Sequence, residues 1–159
     1  MSEWNYAKWA ENLGQENLKH RLATGDILLS QANTLLSILL VGIGGGMTYA
    51  MKSASSSSYA ELGAAASTAW MAAVAAVLVF KCIATRETEV IGSSPLNVYK
   101  PSENLTETQI REFNMELIQD RIRYTRGRNA SVAYWLDRCR YATVFTPFVY
   151  AFSALAASG

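Results

Sequence analysis

Apolar positions along the chain gather into three blocks that carry no charge. Residues 27–50, 62–80 and 141–159 run for 24, 19 and 19 positions without Asp, Glu, Lys, Arg or His. At about 1.5 Å of rise per residue, about 20 helical residues cross the hydrocarbon of a bilayer. A helix of a soluble bundle keeps one wet face and spreads charge along its length. A chain this short has too few other residues to cover three helices on every side. The pattern predicts an all-α integral membrane protein: three transmembrane helices with amphipathic cytoplasmic helical extensions. As one membrane domain, 1–159 divides into an entry helix (1–26), span one (27–51) and an outer turn (52–60). Span two (61–81), a cytoplasmic connector (82–105), a cytoplasmic helix (106–140) and span three (141–159) follow. Span two is rich in alanine, and its insertion relies on its neighbours.

Between the blocks the pattern changes. Residues 86–105 hold Gly92, Ser93, Ser94, Pro95 and Pro101 with few apolar residues in register, an irregular connector. Thr106 and Gln109 then stand at capping-box spacing, so a helix starts there. Ile110, Phe113 and Leu117 follow at i, i+3 and i+7, with Met115, Ile118 and Ile122 beside them, a wide apolar stripe. No proline interrupts 106–146. One long helix, or two nearly collinear ones, is expected to run into span three, with Pro147 as the site of a kink. The first 26 residues set Trp4, Trp9 and Leu13 amid alternating charge. Two placements suit them. One is the bilayer surface, with the rings at headgroup level. The other, preferred here, is packing against the 106–136 helix, whose stripe needs a partner.

Overall composition, 50% apolar and 17% charged, hides this segregation. Charge adds a direction. Lys8, Lys19 and Arg21 precede span one, and Lys52 alone lies in the serine-rich turn. Lys81, Arg86, Lys100, Arg111, Arg121, Arg123, Arg126, Arg128, Arg138 and Arg140 fall between spans two and three. Basic loops stay in the cytoplasm, so the N-terminus and the 81–140 segment are expected there and the C-terminus outside. Span one begins after a long leader of mixed charge and is too long for a signal-peptide core, so it reads as a retained span. Cys82 and Cys139 then face the reducing side, as ordinary thiols. Asn104 and Asn129 match the glycosylation pattern, but this topology hides them from the transferase.

Three features are candidates for function. Gly42 and Gly46 form a Gly-x-x-x-Gly pair, and Ala65, Ala69 and Ala73 recur every fourth residue in span two. Such small residues let backbones approach closely. They predict a helix-packing seam, either within a hairpin of spans one and two or between copies in an oligomer. Ser30, Asn33, Thr34 and Ser37 share one face of span one, with Gln31 nearby. In lipid they must face protein or water, as interhelical hydrogen bonds or as the lining of a wet path. Arg121, Arg123, Arg126, Arg128, Arg138 and Arg140 form a basic cluster at the inner surface, suited to anionic headgroups. No phosphate loop or aromatic platform accompanies them, so no nucleic acid is expected. His20, the single histidine, reads as an interfacial residue. No catalytic or metal-ligand constellation stands at a useful spacing, so the chain is not expected to be an enzyme or to hold a metal or cofactor. Its partners are expected to be the lipid bilayer and either further copies or another membrane protein.

The order of parts adds a resemblance. A charged entry helix leads into "GDILLSQANTLLSILL", a tight hairpin, a cytoplasmic arm, and "NASVAYWLDRCR" before the last apolar block. This layout resembles the SLATT-type and Pycsar-type transmembrane effector modules of bacterial anti-phage systems, and the likeness covers most of the chain. Those effectors act with a nucleotide-sensing module, and this sequence carries none. The resemblance implies a bacterial inner-membrane protein that oligomerises and breaches the membrane when triggered, as an anti-phage effector or holin-like pore. Two other readings stay open: an immunity or exclusion protein that blocks a pore-forming toxin or phage entry, and an accessory subunit of a larger membrane complex.

Overall fold

The computed structural model describes residues 6–53, 59–84 and 106–158. Helix α1 spans Tyr6–Ser53, and α2 spans Tyr59–Leu78 and widens into a π-helical turn at Val79–Ile83. Helices α3, Glu107–Val144, and α4, Thr146–Ser158, follow. Among the described residues there is no strand, so the fold class is all-α. The entry segment and span one form one unbroken helix, because neither contains proline. Trp4, most of the outer turn and nearly all of the connector lie outside the described residues. Two helices, α1 and α2 with its π turn, are long and apolar enough to cross a membrane. The pair α3–α4, bent by 42°, becomes a third if it counts as one span.

The chain divides into two compact units. One joins α1 up to Asp26 with α3 up to Ala130. The other joins 27–84 with the chain from Ser131 onward. The division follows the charge pattern. Among the described residues the charged half of α1 is grouped with that of α3, and the apolar halves are grouped with α2 and α4.

In the first unit α1 and α3 run parallel. Glu11 accepts a 2.8 Å hydrogen bond from Arg111 Nη1, Gly14 faces Ile118, and Gly25 faces Asn129. The contact stripes are Glu11, Gly14, Leu18, Arg21 and Gly25 on α1, and Arg111, Met115, Ile118, Ile122, Thr125 and Asn129 on α3. Both alternate steps of three and four, the 3.5-residue period of a coiled pair. Leu18, Ile122 and Thr125 are its buried centre. The start of α3 is capped as its spacing required. Thr106 N–H donates to Gln109 Oε1 at 2.9 Å, and Gln109 N–H returns a longer bond to Thr106 Oγ1. Arg111 also bonds Glu107, one turn earlier. That bond and the two carboxylates raise its pKa above the usual guanidinium value. Phe113, expected in the apolar stripe, is exposed, as are Trp9 and Leu13.

In the second unit α1 and α2 form an antiparallel hairpin. Gly42 meets Met71, and Gly46 meets Thr68. Helix α2 also runs antiparallel to α3–α4. Lys81 lies over Trp135, Cys82 bonds the Val132 carbonyl, and Gly63 touches the Tyr150 backbone. Leu39 of α1, Leu78 of α2 and Leu136 of α3 are the largest fully buried side chains, one from each of these three helices. Parallel first and third helices with an antiparallel second is the arrangement that three successive crossings require.

The bend between α3 and α4 has a local cause. Pro147 lacks an N–H and disfavours helical geometry at the residue before it. At the break, the Ala142 carbonyl accepts a 2.9 Å bond from Trp70 Nε1. Trp70→Phe keeps the ring and removes that donor. It is expected to cost about 1–3 kcal/mol, read as a lower unfolding midpoint in mild detergent.

Candidate functional site

The candidate site is the face of α1 that turns away from its own partners. Ala32 and Leu39 are buried on one side of the span. Ser30, Asn33, Thr34 and Ser37 lie exposed on the other. Helical spacing separates the two sets, since side chains at i, i+3, i+4 and i+7 share a face. Thr34 Oγ1 donates to the Ser30 carbonyl at 3.0 Å, and Ser37 Oγ to the Asn33 carbonyl at 3.0 Å. These bonds satisfy the hydroxyl protons inside the helix and leave the oxygens open as acceptors. The Asn33 amide is exposed and makes no side-chain hydrogen bond among the described residues. Gln31, at the edge of this face, accepts a 2.9 Å bond from Arg140 Nη2. Toward the far end Gly44 and Gly45 are open, for a Cβ at either would meet nothing within 4 Å. Thr48 bonds back to the Gly44 carbonyl.

The same unit exposes many large apolar side chains. Ile27, Ile38, Leu40, Val41, Met47, Leu62, Phe80, Phe152 and Leu155 are all exposed, Val41 at 77%. Apolar area of that extent marks a contact with lipid or protein.

The predicted seam separates into two parts. Gly42 and Gly46 do pack within the hairpin, the latter directly under Thr68. Ala65, Ala69 and Ala73 do not face α1 and stand exposed. The buried face of α2 is Gly63, Ala64, Ser67, Thr68, Val74, Ala75 and Leu78, offset by one position from the expected run. Ser67 and Thr68 both satisfy their hydroxyls on the Ala64 carbonyl, so this face is apolar in effect.

The basic cluster is likewise divided. Arg121, Arg123, Arg126 and Arg128 belong to the first unit, Arg138 and Arg140 to the second. Arg123 pairs loosely with Asp120 at 3.5 Å, and Arg140 with Asp137 at 3.0 Å. Arg138 instead lies 4.4 Å from the Tyr134 ring centre, and Lys81 lies 5.5 Å from that of Trp135.

Sequence reasoning missed Asn129. The tripeptide Asn129-Ala130-Ser131 matched a glycosylation pattern, yet Asn129 Nδ2 donates to the Arg21 carbonyl at 2.7 Å and lies against Gly25. Its amide sets the pairing register of the first unit. The available signal was the 3.5-residue spacing that links it to Ile122 and Thr125.

The chain matches no family model, no curated protein and no solved structure.

Proposed function

We propose that the chain crosses a bacterial inner membrane three times and self-associates there to breach it. The N-terminus and the arginine-rich arm lie in the cytoplasm and the C-terminus outside, following the bias of basic residues. The observation that carries this reading is the outward polar face of α1. Ser30, Asn33, Thr34 and Ser37 are exposed on a helix long and apolar enough to span a bilayer. Polar groups at that depth require protein or water, and the chain's own α2 and α3 supply neither to Asn33. A second copy would meet this need.

The spacing supports the same reading. Ser30, Thr34, Ser37, Val41, Gly44 and Thr48 follow alternating steps of four and three and are all exposed. That is the period of a seam between helices, and most of its members are small enough for close approach. Several copies joined by such faces would gather hydroxyls and amides around a shared axis, a wet path through the membrane. None of the four polar groups ionises, so the path would conduct passively. In this role the protein acts as an anti-phage effector or a holin-like unit.

The exposed Ala65, Ala69 and Ala73 favour one alternative. A second small-residue face is suited to a foreign helix, as an immunity or exclusion protein would need. Reconstitution separates the two. Purified protein in dye-loaded liposomes is expected to release the dye and to migrate as an oligomer in mild detergent. A monomer that leaves the vesicles sealed would overturn the pore reading and leave the blocking role.

A further inference from the structure

In the second unit Lys81 and Arg138 make no salt bridge among the described residues. Lys81 Nζ rests 5.5 Å from the Trp135 ring centre. Arg138 rests 4.4 Å from that of Tyr134. The two rings touch edge to face with centres 5.6 Å apart. Two helices thus build one continuous patch: ammonium, indole, phenol, guanidinium. Its depth is set by the sequence. Lys81 is the first charged residue after the uncharged run of span two. Arg138 lies three residues before the uncharged run of span three. Cation and amphipathic ring together suit the boundary between hydrocarbon and headgroups.

The same unit holds an apolar groove of about 580 Å³, lined by Trp70, Ala142, Phe145, Phe148, Val149 and Phe152. Volumes of this order accommodate ligands. The groove and the patch share a helix face, since Arg138, Ala142 and Phe145 stand at i, i+4 and i+7. The groove exists because Pro147 turns α4 away and Trp70 reaches across to the Ala142 carbonyl.

We propose that this surface holds one anionic phospholipid. The phosphate sits between Lys81 and Arg138, and an acyl chain follows the groove past Phe145 and Val149. Charge complementarity selects the occupant: two cations without a carboxylate partner, one of them on the helix face that leads to an apolar groove, fit an anionic headgroup with its tail and give a zwitterionic lipid no advantage. The cation–ring contacts hold the charges in place, so little side-chain freedom is lost on binding. The inference rests on the membrane reading of the chain and is independent of whether copies form a pore.

The test uses the full chain with Trp4→Phe and Trp9→Phe, which leaves Trp70 and Trp135 as reporters at the groove and the patch. The protein is reconstituted in phosphatidylcholine vesicles containing either brominated phosphatidylglycerol or brominated phosphatidylcholine. Stronger quenching by the brominated phosphatidylglycerol is expected, with an apparent preference of roughly 30-fold from two basic contacts. K81Q with R138Q should abolish the preference, and K81R with R138K should keep it. K19Q, an exposed charge in the other unit, should leave it unchanged. Val149→Phe narrows the groove and should weaken quenching by both lipids. Equal quenching by the two lipids in the parent protein, or a preference that survives K81Q/R138Q, overturns the proposal. So does relief of quenching by millimolar inorganic phosphate, which would make the site one for free anion. Failure of the protein to insert at all would remove the membrane reading and this site with it. Insertion without preference removes this site alone.

Discussion

Gly46→Leu will open the seam between α1 and α2. A Cβ built at Gly46 collides with the Thr68 hydroxyl. That hydroxyl is itself tied to the Ala64 carbonyl at 2.7 Å, so it cannot turn aside without losing its bond. A leucine adds further bulk that only a separation of the helices can accommodate. Overpacking of this kind costs about 1–3 kcal/mol. The loss is expected as a lower thermal midpoint in detergent and as increased protease access to the hairpin. Gly42→Ala is the comparison. Its Cβ meets only the thioether end of Met71, which can swing away, so its midpoint should lie close to that of the parent. Equal effects at the two positions would show that the hairpin does not pack as described.

The second large effect is expected on the opposite side of the same helix. Ser30→Ala, Asn33→Leu, Thr34→Val and Ser37→Ala together remove the outward polar groups and touch nothing buried. Interhelical hydrogen bonds in membranes average about 0.6 kcal/mol each, so four sum to about 2 kcal/mol, or roughly 30-fold in association. Asn33→Leu alone should carry the largest share, because the Asn33 amide lacks the intrahelical bonds that Thr34 and Ser37 already make. Fold and unfolding midpoint should stay constant, while cross-linking yield and dye release fall together. Retention of both in the quadruple variant would show that assembly uses another face.

Much of the architecture could be read from the residues, and particular elements show where reading stopped. The uncharged blocks marked the apolar helices because charge is the least tolerated property in lipid. Thr106 and Gln109 marked a helix start because a cap is local, needing no tertiary partner. The face of α2 was not legible. Alanines occupy nearly every side of that helix, so spacing alone could not tell Ala65, Ala69 and Ala73 from the buried Ala64 and Ala75. What decides is the position of Thr68 and Met71 opposite two glycines 22 to 29 residues earlier, a relation between segments. The polar face of α1 was legible as a face. Its outward direction was not, because the same residues could have bonded to α2. The ring-supported cations were missed for a similar reason: Lys81 and Trp135 come from different helices.

Parallel pairing of α1 with α3 also governs the order in which the molecule comes together. Glu11 waits for a residue 100 positions later, and the Arg21 carbonyl for one 108 positions later. At ribosomal speeds of about 5–20 residues per second, α1 emerges roughly 5–20 s ahead of its mate. The α1–α2 hairpin, whose helices lie close together in sequence, can settle in that interval, whereas the coiled stripe of Gly14, Leu18 and Gly25 cannot be covered. Nascent chains therefore pass through a stage with half of the longest helix unsheltered, the point at which a chaperone would have most to offer.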